Sequence, residues 1–179
     1  MKLGFRGRWE RRVRRRLPTA VRYTQPLTAS APYILVVDDS TDGREMVAEY
    51  LTFRGFAVVE ALSGSEAVEL AKDRPPALIL MDLQMPGVTG WDATRALRAD
   101  PRTRDAIILA VTAHAMKGDA EIARAAGCDG FIAKPFDIKA LGDAVAAILR
   151  QGREALEVLN TPLQPLSTPA SPRRNLSAP

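Results

Sequence analysis

Polar side chains able to do chemistry stand at the ends of short apolar runs in this sequence. Asp38 and Asp39 follow YILVV (33–37), Asp82 follows ALILM (77–81), Thr112 follows AIILAV (106–111), and Lys134 follows GFIA (130–133). Carboxylates crowded into one crevice repel, and each resists ionising unless a cation compensates. A hard ion that prefers oxygen and keeps some of its water, Mg²⁺, is the natural partner. Add an ammonium and a hydroxyl, and the set suits a trigonal phosphoryl group attacked in line by a carboxylate. Asp82, ending the central and most apolar run, reads as the nucleophile. Asp39 and Asp82 would ligate Mg²⁺, with Asp38 acting directly or through water. Lys134 would neutralise one phosphoryl oxygen and Thr112 would hydrogen-bond another. Competing chemistries lack residues: the single histidine, His114, and the single cysteine, Cys128, exclude a Cys/His zinc site and an intrachain disulfide. Cys128 reads as a small buried filler.

The elements that must hold these groups are legible in the hydrophobic pattern. YILVV is continuously apolar, as a strand covered on both faces requires. Spacing over about 42–54 sets Met46, Val47, Tyr50 and Leu51 on one helical face, closed by Gly55. Residues 56–61 form a second strand, less uniformly apolar and so at an edge. Ser63 and Glu66 make a capping box for a helix carrying Ala67, Val68, Leu70 and Ala71, ended by Pro75-Pro76. After the strand at 77–81, a loop with Pro86, Gly87 and Gly90 leads to a helix near 91–98 that buries Ala93, Ala96 and Leu97. A strand at 106–111, an alanine-rich helix at about 117–126 and the short strand 130–133 follow. A strongly amphipathic helix through Ile138, Leu141, Val145, Ile148 and Leu149 ends near Arg150.

Alternating strand–helix units with short loops predict an α/β fold: a flavodoxin-like, doubly wound, five-stranded parallel sheet of order 2-1-3-4-5 with helices on both faces. In that order the first and third strands adjoin at the switch point, where open α/β sheets bind ligands. Asp38, Asp39, Asp82, Thr112 and Lys134 then share one sheet edge.

Charge divides the 179 residues into three zones. The net charge of +4 is an average, because residues 1–25 hold nine basic residues against Glu10 while 26–152 is acidic at −5. The basicity belongs to a tail, so no DNA-binding domain is expected. Residues 1–32 are expected to be a basic, disordered extension, 33–152 the folded domain, and 153–179 a Pro/Ser-rich disordered tail. Phe5, Trp9, Val13 and Leu17 recur every four residues, so 1–17 could also make weak contact with an anionic membrane or an acidic partner. No apolar run approaches a membrane span, and no apolar stretch of a secretory signal follows the N-terminal charges. A cytoplasmic location is expected.

The segments LVVDDS (35–40), ILMDLQMPGVTGW (79–91), VTAHAMKGD (111–119) and GCDGFIAKPF (127–136) resemble the receiver domains of response regulators. The resemblance spans about 120 residues, essentially 33–152, and is greatest to stand-alone chemotaxis and cell-cycle regulators. It implies that Asp82 is the phosphoacceptor and that a phosphohistidine on a sensor histidine kinase or phosphotransfer protein is the donor. It further implies that Asp38 and Asp39 are the acidic pair, that the Gln84 backbone carbonyl is a third protein ligand to Mg²⁺, and that Lys134-Pro135 is a cis peptide. Thr112 and Phe131 match the switch pair, which would present an altered surface to an unknown downstream protein. Gln84 and His114 occupy the places that gate the hydrolytic water, so they are expected to tune the phosphoryl lifetime. Such a protein transforms no external metabolite and catalyses only its own phosphorylation and dephosphorylation.

Two other readings compete. An aspartyl-phosphate phosphohydrolase would need a general-acid carboxylate two residues past the nucleophile, where Gln84 stands. A phosphate-independent receiver scaffold would not need the acceptor and its supports. Trp91 is assigned no role.

Overall fold

The structure, a computed structural model, describes residues 31–113 and 119–159. Its elements are β1 (Ile34–Val37), α1 (Thr41–Phe53), β2 (Val58–Ala61), α2 (Gly64–Asp73), β3 (Leu78–Asp82), α3 (Gly90–Ala99), β4 (Ile107–Thr112), α4 (Asp119–Ala126), β5 (Gly130–Ala133), α5 (Ile138–Gln151) and α6 (Glu154–Leu159). The strands form one parallel sheet of order β2-β1-β3-β4-β5. The expected fold class and strand order are thus observed.

Alternation along each strand feeds two cores. Leu35 and Val37 of β1 join Ala67, Leu70, Ala93 and Leu97 under α2 and α3. Ile34 and Val36 join Val47, Leu51, Leu141 and Val145 under α1 and α5. A strand that supplies both layers must be apolar at every position, which is why YILVV has no polar break. Each fully buried aliphatic side chain contributes about 1.5–3 kcal/mol, so the two cores hold the sheet edge in place.

Side-chain caps set where helices begin. The hydroxyl oxygens of Ser40, Ser63 and Thr89 accept from the backbone N–H groups of Gly43, Glu66 and Asp92, and the Asp137 carboxylate accepts from that of Ala140. The predicted Ser63/Glu66 box forms with a shift: the Glu66 carboxylate reaches the N–H of Leu62, at 2.7 Å. Gly55 takes φ +88° just past α1, a conformation that glycine adopts without strain.

Three expectations differ in detail. Met46 is exposed, because the inward face of α1 is Arg44, Val47, Ala48 and Leu51. Ala96 is exposed and Thr94 is buried in its stead. The zone 153–179 does not begin as a tail: α6 follows directly on Gly152, and its Ala155 and Leu156 are buried in the core under α5. That six-residue helix is too short to show an apolar period, and only packing on α5 and β5 reveals it.

Polar ties close the far end of the sheet. The Arg98 guanidinium donates to the carbonyls of Gly127 (2.8 Å), Arg104 (2.7 Å) and Ala106 (2.6 Å), and to the Asp129 carboxylate (2.7 Å). Asp129 also accepts from the Ile108 N–H and from Arg153, each at 2.8 Å. Residues from α3, β4, the end of α4, β5 and the start of α6 are thereby joined.

Candidate functional site

Strand register places the site. Val37 pairs with Met81, so Asp38 and Asp82 emerge side by side where β1 and β3 end. Asp82 pairs with Val111 and Thr112 with Ala133, which brings Thr112 and Lys134 to the same edge. The Lys134 N–H donates to the Thr112 carbonyl at 2.7 Å, extending the β4–β5 ladder into the site. Asp38, Asp82 and Thr112 are buried, whereas Asp39 is exposed. Carboxylate oxygens of Asp38, Asp39 and Asp82 all lie within 4.8 Å of one another.

Asp38 and Asp82 are held in the same way. Oδ1 of Asp38 accepts from the Ser40 N–H at 2.8 Å, and Oδ1 of Asp82 accepts from the Gln84 N–H at 2.9 Å. Each is an aspartate bonding its own backbone two residues on, a device that fixes the side-chain rotamer. The two Oδ2 atoms share the Lys134 ammonium, at 2.7 Å and 2.8 Å. Burial disfavours the charged ammonium, but the hydrogen bonds and charges of Asp38 and Asp82 outweigh it, so the Lys134 pKa is raised. Lys134 is therefore fixed as the cation between two anions. The Lys134–Pro135 peptide is cis.

The remaining predicted residues divide. The Gln84 side chain is exposed next to Asp82. Phe131 is half-buried and pairs in register with Ala110; Thr112, two residues on from Ala110, falls on the same sheet face, the one covered by α2 and α3. His114 lies outside the described residues, as do 1–30 and 160–179. Cys128 is buried, as expected for a filler, and burial pushes its thiol pKa up.

Sequence reading missed four supports. Arg44 is buried on α1, where its Nη1 donates to the Asp38 carbonyl at 2.9 Å and its Nε to Glu60 Oε2 at 3.1 Å. Glu60, on the edge strand β2, is buried and is the counter-charge to Arg44. The signal available was a charge on each of two faces that otherwise pack inward. Gly90 begins α3 against the backbone of β3: a Cβ there would collide with the Asp82 carbonyl and lie 2.7 Å from the Leu83 Cα. Gly64 does the same service from α2, where a Cβ would fall 2.6 Å from the Val88 carbonyl oxygen. The loop from Asp82 to Gly90 is clamped between these two glycines.

The profile of the response regulator receiver domain family matches residues 34–146. The chain belongs to that family. It is 34% identical over 116 residues to the polar-differentiation response regulator DivK of Brucella ovis, covering 65% of this chain and 94% of that protein. The DivK of Brucella anthropi matches at the same identity and coverage. The structure of the chemotaxis protein CheY4 of Vibrio cholerae superposes with a TM-score of 0.62 at 29% identity, covering 65% of this chain and 98% of CheY4. The protein is a receiver of this CheY and DivK type, a phosphorylation-dependent response regulator of a two-component system, and the phosphohydrolase and scaffold readings are not favoured. Receiver domains bind Mg²⁺ at an acidic cluster, and Asp38, Asp39 and Asp82 form such a cluster here. Their spacing and all-oxygen donor set fit a hard divalent ion. Among the described residues no helix is long and apolar enough to cross a membrane.

Proposed function

We propose that Asp82 accepts a phosphoryl group from the phosphohistidine of a sensor kinase or phosphotransfer protein, and that the modified chain signals by contact with a downstream protein. The observation that carries this reading is the convergence on Asp82 of two further carboxylates and the Lys134 ammonium. An Asp82 carboxylate oxygen attacks phosphorus while the bond from phosphorus to the donor imidazole nitrogen breaks; the donor ring, protonated on its other nitrogen, takes the bonding pair and leaves as neutral imidazole, and an aspartyl phosphate remains. Bound by Asp38, Asp39, Asp82 and the Gln84 carbonyl, Mg²⁺ would neutralise charge on the transferring group. The Gln84 N–H holds Asp82 in one rotamer throughout. Lys134 supplies a positive charge to a phosphoryl oxygen, and the Thr112 hydroxyl donates to another. That bond draws Thr112 toward the site, and Phe131, on the same face, moves into the space released, a shift between two packings of one fold.

The chain then catalyses only its own phosphorylation and dephosphorylation, acts in the cytoplasm, and uses 33–159 as its folded unit between N- and C-terminal extensions. Gln84 and His114 set the lifetime of the phosphoryl group. Incubation with Mg²⁺ and acetyl phosphate tests the central step by intact-mass measurement. Addition of one phosphoryl mass to the native chain, and none to Asp82→Asn, is expected; equal addition to both would sink the assignment. Alanine at Gln84 or His114 is expected to change the decay rate of that mass.

A further inference from the structure

We infer that the outer face of α1 is a docking surface for this chain's own N-terminal basic segment, residues 5–17. Asp42, Glu45, Met46, Glu49 and Phe53 form one stripe along α1, at spacings of three and four residues, with Tyr50 at its margin. Its Asp42 and Glu49 carboxylates are exposed, while Arg44, the basic residue of α1, faces inward and is spent on Glu60 and Asp38. It also carries the most exposed large apolar side chain among the described residues, Phe53 at 86%, together with Met46 at 52%. Alone, either feature is ordinary; an apolar pair inside an acidic stripe asks for a partner that is both cationic and apolar.

Residues 5–17 have that composition. They contain seven arginines against Glu10, with Phe5, Trp9, Val13 and Leu17 at four-residue spacing. The matching run of exposed positions on α1 gives arginines acidic neighbours and gives the apolar residues Met46 and Phe53. Met46 also lines, with Val47, Phe136 and Leu141, a cleft of about 320 Å³ that extends to Asp38 and Lys134 of the site.

Topology makes the contact reachable. α1 runs back from the site edge to the end of the sheet where β1 starts, so Phe53 and Ala31 lie at the same end. The carbonyl of Ala31 is fixed there by the Arg74 guanidinium. Residues 18–30 separate Leu17 from Ala31 and reach about 45 Å when extended, against a length of about 20 Å for α1. Tethering at that distance gives a millimolar effective concentration, so even a weak contact is mostly formed within one chain.

The test uses the full chain with Trp91→Phe, which leaves Trp9 as the sole tryptophan, and measures acrylamide quenching of its fluorescence. At about 50 mM salt, quenching is expected to be roughly threefold weaker than at about 0.5 M salt, where exposed charges are screened. Adding Glu49→Lys and Phe53→Asp, both at exposed positions, is expected to restore full quenching at low salt with an unchanged far-ultraviolet dichroism spectrum. Equal quenching of the parent and this variant at low salt would overturn the inference. Protection that grows with protein concentration would assign the segment to a second copy, and protection only with phosphatidylserine vesicles would assign it to a membrane; either result overturns the intrachain contact.

Discussion

Gly90 lies so close to Asp82 that no side chain fits between them: a Cβ at position 90 would occupy the space of the Asp82 carbonyl. The helix α3 is thereby pressed against the strand that carries the candidate acceptor. Gly90→Ala is expected to destabilise the chain by about 1–3 kcal/mol, because backbone must shift. Urea denaturation reads the loss, and phosphorylation by acetyl phosphate should slow along with it, since the Asp82 carboxylate moves with its carbonyl.

Lys134 holds the two carboxylates, Asp38 and Asp82, that a divalent ion would use. Removing it in Lys134→Ala should tighten Mg²⁺ binding while slowing phosphoryl transfer by about 10²-fold, the cost typical of one lost electrostatic contact to a transition state. Calorimetric titration and intact-mass kinetics check the two halves separately. The raised pKa fixes the sign of the pH effect. Lys134 binds its proton more tightly folded than unfolded, so its contribution to stability is complete below the ordinary value of 10.5 and is lost as pH rises through the higher folded value. Stability between pH 6 and 9 should be insensitive to this group, which thermal melts of the native chain and of Lys134→Ala will show as parallel profiles.

The buried Arg44–Glu60 pair should respond asymmetrically to its partners' removal. Glu60→Leu leaves an uncompensated guanidinium and is expected to cost about 3–5 kcal/mol, whereas the double variant Arg44→Met/Glu60→Leu should recover most of it. The double variant still lacks the donor to the Asp38 carbonyl, so recovery of stability without recovery of Mg²⁺ affinity is the expected outcome. Denaturant midpoints and metal titration together decide it.

Leu156 tests where the folded unit ends. Its side chain is buried at 4% exposure beside Gly130, within the core under α5. Leu156→Ala is expected to cost about 2–4 kcal/mol, read by chemical denaturation. A loss near zero would return 153–159 to the tail.

Cys128 offers an independent probe of packing. Burial raises its thiol pKa above 9.0, so alkylation by iodoacetamide at pH 8 should be far slower in the folded chain than in denaturant. The same shift means that the stability linked to this thiol falls as pH rises past its unfolded value.

Much of the site could be read from the sequence because its residues interrupt apolar runs. Asp38, Asp82, Thr112 and Lys134 each mark the point where a buried strand meets solvent, and parallel pairing alone brings such points together. Fold class and strand order followed from the same alternation. Arg44 and Glu60 leave only a weak trace, a charge on each of two inward-packing faces: they lie sixteen residues apart in sequence, and each charge taken alone reads as a solvated surface residue. Gly90 could be placed in a loop but not against Asp82, since close approach between backbones leaves no pattern in a single chain. Met46 was misplaced because a thirteen-residue helix with a buried arginine rotates its apolar face away from the purely hydrophobic solution.

The guanidinium of Arg98 has a consequence for motion. It fastens the C-terminal end of α4, through the Gly127 carbonyl, to the rim of the sheet opposite the acidic crevice, and a Cβ on Gly127 would crowd the Arg98 Cγ at 2.9 Å. A helix pinned at one extremity swings; it does not slide. In the proposed switch, a displacement of α4 would be a tilt about that rivet.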